Sequence, residues 1–167
     1  MPYLYETPSN VANFFLEKGK EEGAPITQLK LMKLTYLAYG WVLATLNQKL
    51  FDEDIEAWKY GPVIPSLYHE FKHFKYNPIS GNSICFDFDE GTISVPEIDK
   101  SDKSSVIIEK VWDVYKHLSA KALVAKTHEQ DSPWSSHYDP QEYGKIIPDA
   151  DIKAYFKEKI SELISDA

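Results

Sequence analysis

The sequence predicts a mainly α (α+β) fold, a compact bundle of five to six helices carrying a small β ribbon. Three observations predict it. Apolar residues recur at helical spacing through several long segments, and each of those segments opens on a residue able to cap a helix. One shorter stretch, Ser83 to Val95, alternates like two strands around a glycine-containing turn. No internal repeat, low-complexity tract or long linker interrupts the pattern.

Taken in order, Ser9 is the expected N-cap of a first helix with Val11, Phe14, Phe15 and the Lys18 stem on one face. Gly19 weakens its end and Gly23 stops it. Thr27 caps the strongest helix, in which Leu31, Leu34, Ala38, Trp41, Val42 and Thr45 keep helical spacing and Leu37 and Leu43 widen the apolar face. A helix apolar around so much of its circumference belongs at the centre of a core. Phe51 to Trp58 reads as a short, weakly alternating strand, broken by Gly61-Pro62. Pro65 suits the first turn of the next helix, whose apolar stripe is Leu67, Tyr68, Phe71 and Phe74.

Two strands, Ser83 to Phe88 and Thr92 to Val95, follow around Asp89-Glu90-Gly91, with Ile84, Phe86, Phe88, Ile93 and Val95 expected on the inner face. Asp102 caps a long helix containing Ile107, Ile108, Val111, Trp112, Tyr115 and Leu118. Ser119 caps its continuation through Leu123 and Thr127, which Pro133 ends. Asp149 or Asp151 opens the last helix, with Ile152, Tyr155, Phe156 and Ile160.

Composition narrows the function. At 167 residues, 43% hydrophobic and 14% aromatic, the chain is long enough for one domain burying roughly two-thirds of its unfolded surface. Its formal charge of −8 and the lack of Lys/Arg runs argue against binding a phosphate backbone, apart from a local basic face around Lys30 and Lys33. An acidic surface favours a basic protein partner. The lone Cys85 makes no internal disulfide, and its place in a strand implies a buried, inert thiol. Neither a leader-like N-terminus nor a bilayer-length apolar run is present, so the expected location is the cytoplasm.

The most conspicuous chemistry is His69-Glu70-Phe71-Lys72-His73, an HExxH sequence. Two histidines four apart on a helix can ligate zinc while the intervening Glu70 serves as general base. Against this zinc-hydrolase alternative stand the charged Lys72, the lack of a patterned third ligand among His117, His128 and His137, and an apolar stripe beside which both histidines fall. The helix-edge reading is preferred. Ser132, His128 and Asp131 hold the letters of a hydrolase triad without a nucleophile elbow, and no phosphate-binding glycine loop occurs. No cofactor is implied.

A second pattern surrounds those letters. Ile26 to Tyr36 (ITQLKLMKLTY), Ala38-Tyr39-Gly40-Trp41, Leu50-Phe51-Asp52-Glu53, Ile55 to Val63 (IEAWKYGPV) and Leu67 to Phe71 (LYHEF) resemble the SocA-like, or Panacea, antitoxin family, with its prophage-associated GepA-like relatives. Thr127-His128, Pro133-Trp134 and Ile146-Ile147 extend the resemblance toward the C-terminus. It implies a single helical domain over 1–167 that binds a cognate toxin protein. Direct contact neutralises some toxins in that family, and adaptor-mediated delivery to the ClpXP protease is a second route. A phage-associated regulatory adaptor without a toxin is the other alternative. An appended DNA-binding domain is not evident. The family-motif residues expected in the core or at a partner surface are Trp58, Tyr60, Gly61, Pro62, Tyr68, His69, Phe71, Thr127, His128 and Trp134. Trp and Tyr suit both roles, and Gly61 permits a close approach that Pro62 stiffens.

Overall fold

Two helices open the computed structural model, which describes residues 6–165; Met1–Tyr5, read above for a leader, fall outside it. Helix α1 is Pro8–Glu21 and helix α2 is Gln28–Leu46. Thr7, not Ser9, caps α1: its hydroxyl accepts from the Asn10 amide, and Pro8 fills the first turn, where a missing N–H costs nothing. Ser9 then lies inside the helix and its hydroxyl donates to Glu70. Thr27 caps α2 as expected, accepting from the Lys30 amide. Fifteen of the nineteen residues of α2 are buried, because it is packed on several sides at once.

Its neighbours arrive in chain order. Strands β1 (Glu56–Trp58) and β2 (Gly61–Val63) form a hairpin with Trp58 opposite Gly61 and Glu56 opposite Val63. The turn is therefore Lys59-Tyr60, and Gly61-Pro62, expected to break the chain, begins a strand instead. The predicted Phe51–Trp58 strand shrinks to its last three residues, with Phe51 buried against Tyr39. Helix α3 (Pro65–Phe71) starts on Pro65 and buries Leu67 and Phe71. It tightens into a 3₁₀ turn at Lys72–Phe74.

Strands β3 (Cys85–Asp87) and β4 (Thr92–Ser94) make the second hairpin, with Phe86 opposite Ile93. Here the structure corrects the expectation twice. Ile84, Phe86, Phe88, Ile93 and Val95 are exposed rather than inner-facing, and Cys85 is an exposed free thiol. The alternation was real, but among the described residues no other element covers the apolar side.

Helix α4 (Lys103–Tyr115) is capped by Asp102, and α5 (Ala120–Thr127) by Ser119. Pro133 does not terminate α5; it opens the short α6 (Pro133–His137), capped by the Ser132 hydroxyl. Strand β5 (Lys145–Ile146) joins the outer edge of β1, giving a three-stranded sheet of order β2-β1-β5. Helix α7 (Asp149–Ser165) buries Ile152 and Phe156. The fold is mainly α, with α1, α3, α4, α5, α7 and β2 all packed on α2. Among the described residues no helix is long and apolar enough to cross a membrane.

The α2–α7 crossing depends on one glycine. A Cβ placed on Gly40 would lie 2.1 Å from Cε2 of Phe156, whose ring also packs edge-on against Tyr36 and Trp41. Gly40→Ala gains about 1 kcal/mol of helix propensity but drives its methyl into the Phe156 ring, an overpacking of about 3 kcal/mol. A net loss of about 2 kcal/mol is expected from these opposing effects, read as a lower midpoint in urea unfolding.

Candidate functional site

Lys33 organises the centre of the motif region. It lies on α2 among apolar neighbours and is fully buried, at 0% exposure. Its ammonium donates one hydrogen bond, to the Pro62 carbonyl at 3.1 Å, and forms no ion pair among the described residues. Taking a cation out of water without a carboxylate favours the neutral amine. Burial accordingly brings Lys33 down to about 7. Lys30 is also buried and donates to the Lys116 carbonyl at 2.8 Å, so Lys30 and Lys33 do not form the local basic face that the sequence left open.

Gly61 is what lets the first hairpin close over Lys33. Its φ of +118° is unfavourable for other residues, and a Cβ there would meet Lys33 Cε at 2.7 Å, Nζ at 2.9 Å and Thr127 Oγ1 at 3.1 Å. Thr127 is buried at the end of α5, its hydroxyl turned back to the Val124 carbonyl. His128 follows and lies flat on Trp134, with ring centroids 3.6 Å apart and planes 3° from parallel. The Trp134 indole N–H donates to the Trp58 carbonyl at 2.6 Å, fastening α6 to β1. Trp58 packs edge-on against Tyr68 and beside Tyr143, and its own N–H donates to Glu56.

The structure thus brings Trp58, Gly61, Pro62, Tyr68, Thr127, His128 and Trp134 together from separate parts of the chain. Phe71 is buried in the core, and Tyr60 points outward at the hairpin turn with Lys59 over its ring. His128 is half-buried, and its Nε2 is enclosed without a hydrogen-bond partner among the described residues. Burial and the nearby Lys33 hold this imidazole below its ordinary value, opposed by a hydrogen bond to the Tyr60 backbone. Near neutrality it is a neutral ring stacked on an indole.

The HExxH letters do not assemble. His69 and His73 are exposed, α3 ends at Phe71, and the 3₁₀ turn carries His73 off the helical register that a paired site needs. Glu70 accepts from Ser9 on α1. No group of three or more His, Cys, Asp or Glu side chains among the described residues is placed to hold a metal. Ser132, from the triad letters, is occupied as the α6 cap.

Two participants escaped the sequence reading. Lys33 resembled a surface lysine, although its place among the apolar residues of α2 was the available signal. Tyr143 lies in a loop that only the folding of β5 onto β1 brings beside Trp58.

The cluster lies within the segment that comparison with known proteins singles out. Residues 31–135 match the family model described as "Antitoxin SocA-like, Panacea domain", a span that contains Lys33, Gly61, His128 and Trp134. The chain belongs to this family. It is also 32% identical over 139 residues to "Antitoxin SocA" of Caulobacter vibrioides, covering 80% of this chain and 74% of that relative. No solved structure matches the chain significantly. For this SocA-like protein the knot of Lys33, Gly61 and the His128–Trp134 stack gives the family motif a physical content: it joins α2, the first hairpin, α5 and α6.

Trp134→Phe tests that joint. It keeps a ring beneath His128 but removes the N–H that satisfies the Trp58 carbonyl. A loss of about 1 kcal/mol in chemical unfolding is expected, since the bond is only part-buried and water can partly replace the donor.

Proposed function

We propose that the protein is a non-catalytic antitoxin that binds and neutralises a cognate toxin protein in the cytoplasm. The observation that carries this reading is the similarity to Antitoxin SocA over most of both chains. The geometry supports it in a second way. Lys33, which burial brings down to about 7, is sealed from solvent and occupied with the Pro62 carbonyl. The motif cluster acts as a scaffold, and binding falls to the surface around it.

The test is expression of the adjoining reading frame alone and together with this protein. Growth arrest by the neighbour, relieved on co-expression, is the expected result. A neighbour harmless on its own, or still lethal with this protein present, would sink the reading for that pair. The lifetime of the toxin with and without ClpXP then separates neutralisation by occupancy from delivery to the protease: an unchanged lifetime in both backgrounds assigns it to occupancy.

A further inference from the structure

The β3–β4 hairpin is built like a surface element awaiting a partner. Its register puts Phe86 opposite Ile93, so Ile84, Phe86, Phe88, Ile93 and Val95 share one face by strand alternation. All five are exposed, Phe88 at 88% and Ile93 at 65%. Phe86 and Phe88 pack edge-on, their centroids 4.7 Å apart, so the face holds an aromatic pair. A contiguous apolar face of this kind marks an interaction site more often than a solvated surface.

The hairpin is also held in place. Asn13, buried in α1, donates from its amide to the carbonyls of Ser83 and Pro96 at 3.0 and 2.9 Å, and its side-chain oxygen accepts from the Ser83 amide at 2.8 Å. Both feet of the hairpin are therefore clamped to one side chain. At its base Val95 also lines a cleft of about 580 Å³ between α1 and α4. The apolar face and the cleft form one continuous surface.

Charge indicates what covers it. From Tyr76 to Asp99 the chain carries Asp87, Asp89, Glu90, Glu97 and Asp99 and no Lys or Arg. The cleft adds Glu17, Glu21 and Glu109 against Lys18 and Lys100. A second copy of this chain would bring two such acidic rims together, which is how edge strands are kept from pairing with themselves. A basic partner gains from the same rim. Resting on the antitoxin reading above, we propose that this hairpin face and cleft are the docking surface for the toxin, which presents an apolar segment flanked by Lys or Arg. The outer edges of β3 and β4, which pair with no further strand among the described residues, allow that segment to add as a strand.

The experiment has two arms. In the first, isotope-labelled protein is titrated with an alternating Lys/Val heptapeptide and with its Glu/Val counterpart, following amide resonances. Shifts at residues 84–95 with the basic peptide alone are expected; no shift there, or equal shifts with both, overturns the proposal. In the second, Phe88→Lys with Ile93→Lys is assayed against the toxic neighbour. Both positions are exposed, so circular dichroism should be unchanged, and toxin affinity should fall at least about tenfold, as for loss of an aromatic anchor. Full protection by that variant overturns the docking surface and leaves the antitoxin reading intact. Failure of the wild type to protect defeats the antitoxin reading for that pair, and the peptide arm then decides the surface. A wild-type dimer made monomeric by the two lysines would assign the face to a second copy and overturn the proposal.

Discussion

Gly61→Ala is expected to destabilise the protein by about 4 kcal/mol, from two causes of similar size. A non-glycine residue held at a positive φ of this kind costs roughly 1–3 kcal/mol. The added methyl would also stand 2.7 Å from Lys33 Cε and 3.1 Å from Thr127 Oγ1. Neither neighbour can retreat easily, since both are buried and each makes a hydrogen bond. Overpacking of a closed site costs about 1–3 kcal/mol more. A double-mutant cycle separates the causes. Shortening Lys33 to Ala clears the space in front of the methyl while leaving φ at +118°. The penalty of Gly61→Ala measured in the Lys33→Ala background should then fall to the backbone share, about 2 kcal/mol. Strict additivity of the two substitutions would show that close approach to Lys33 is not what position 61 requires. Because Trp58 pairs directly with Gly61, the Trp134 indole bond to the Trp58 carbonyl should loosen as well. A change in tryptophan fluorescence in the folded state of Gly61→Ala would report it.

What could be read from the sequence follows the range of the interaction concerned. Thr27, Asp102 and Ser119 were legible as caps because each bonds an amide two or three residues ahead. The central position of α2 was legible because its apolar residues leave no polar stripe. Thr7 and Ser9 are both competent caps only two residues apart, and only Pro8, which belongs inside a first turn, favours Thr7. The hairpin at β3 and β4 shows the next limit. Alternation reveals that one face is apolar but not whether the same chain covers it, and here nothing among the described residues does. The motif cluster shows the last limit. Trp58 and Trp134 stood out as large aromatics, yet their joining through a carbonyl 76 positions away is a tertiary fact with no local trace. The same holds for Lys33, whose burial is completed by β2.

That burial leads to the second large effect, on the pH dependence of stability. In the unfolded chain Lys33 titrates near the ordinary 10.5; in the fold, burial brings it to about 7. Between those values the unfolded state holds a proton that the folded state does not, so folding stability from this group rises with pH across that window. Below about 7 both states are protonated and the penalty is at its full size. A displacement of this extent corresponds to roughly 5 kcal/mol. Lys33→Met keeps the length and volume of the side chain and removes the charge. At pH 6 the variant should be more stable than wild type by about 4 kcal/mol, after allowing about 1 kcal/mol for the lost bond to the Pro62 carbonyl. The difference should shrink steadily above pH 7 and approach zero or reverse by pH 10. Tyr36, Tyr39 and Tyr155 set the upper limit of the useful range. Burial raises all three, so they stay protonated in the fold and lower its stability once the unfolded tyrosines ionise above about 10. Both proteins carry them, so the comparison between wild type and Lys33→Met cancels their effect. Urea unfolding from pH 6 to 9.5 provides the measurement. A variant equal to or less stable than wild type at pH 6, or a difference that does not change with pH, would mean that the Lys33 amine finds compensation in the fold. A stabilised Lys33→Met that still protects against the toxin would place Lys33 wholly in the scaffold. Loss of protection in a protein made more stable would instead show that the lysine is retained at a cost in stability because the toxin-bound state uses it.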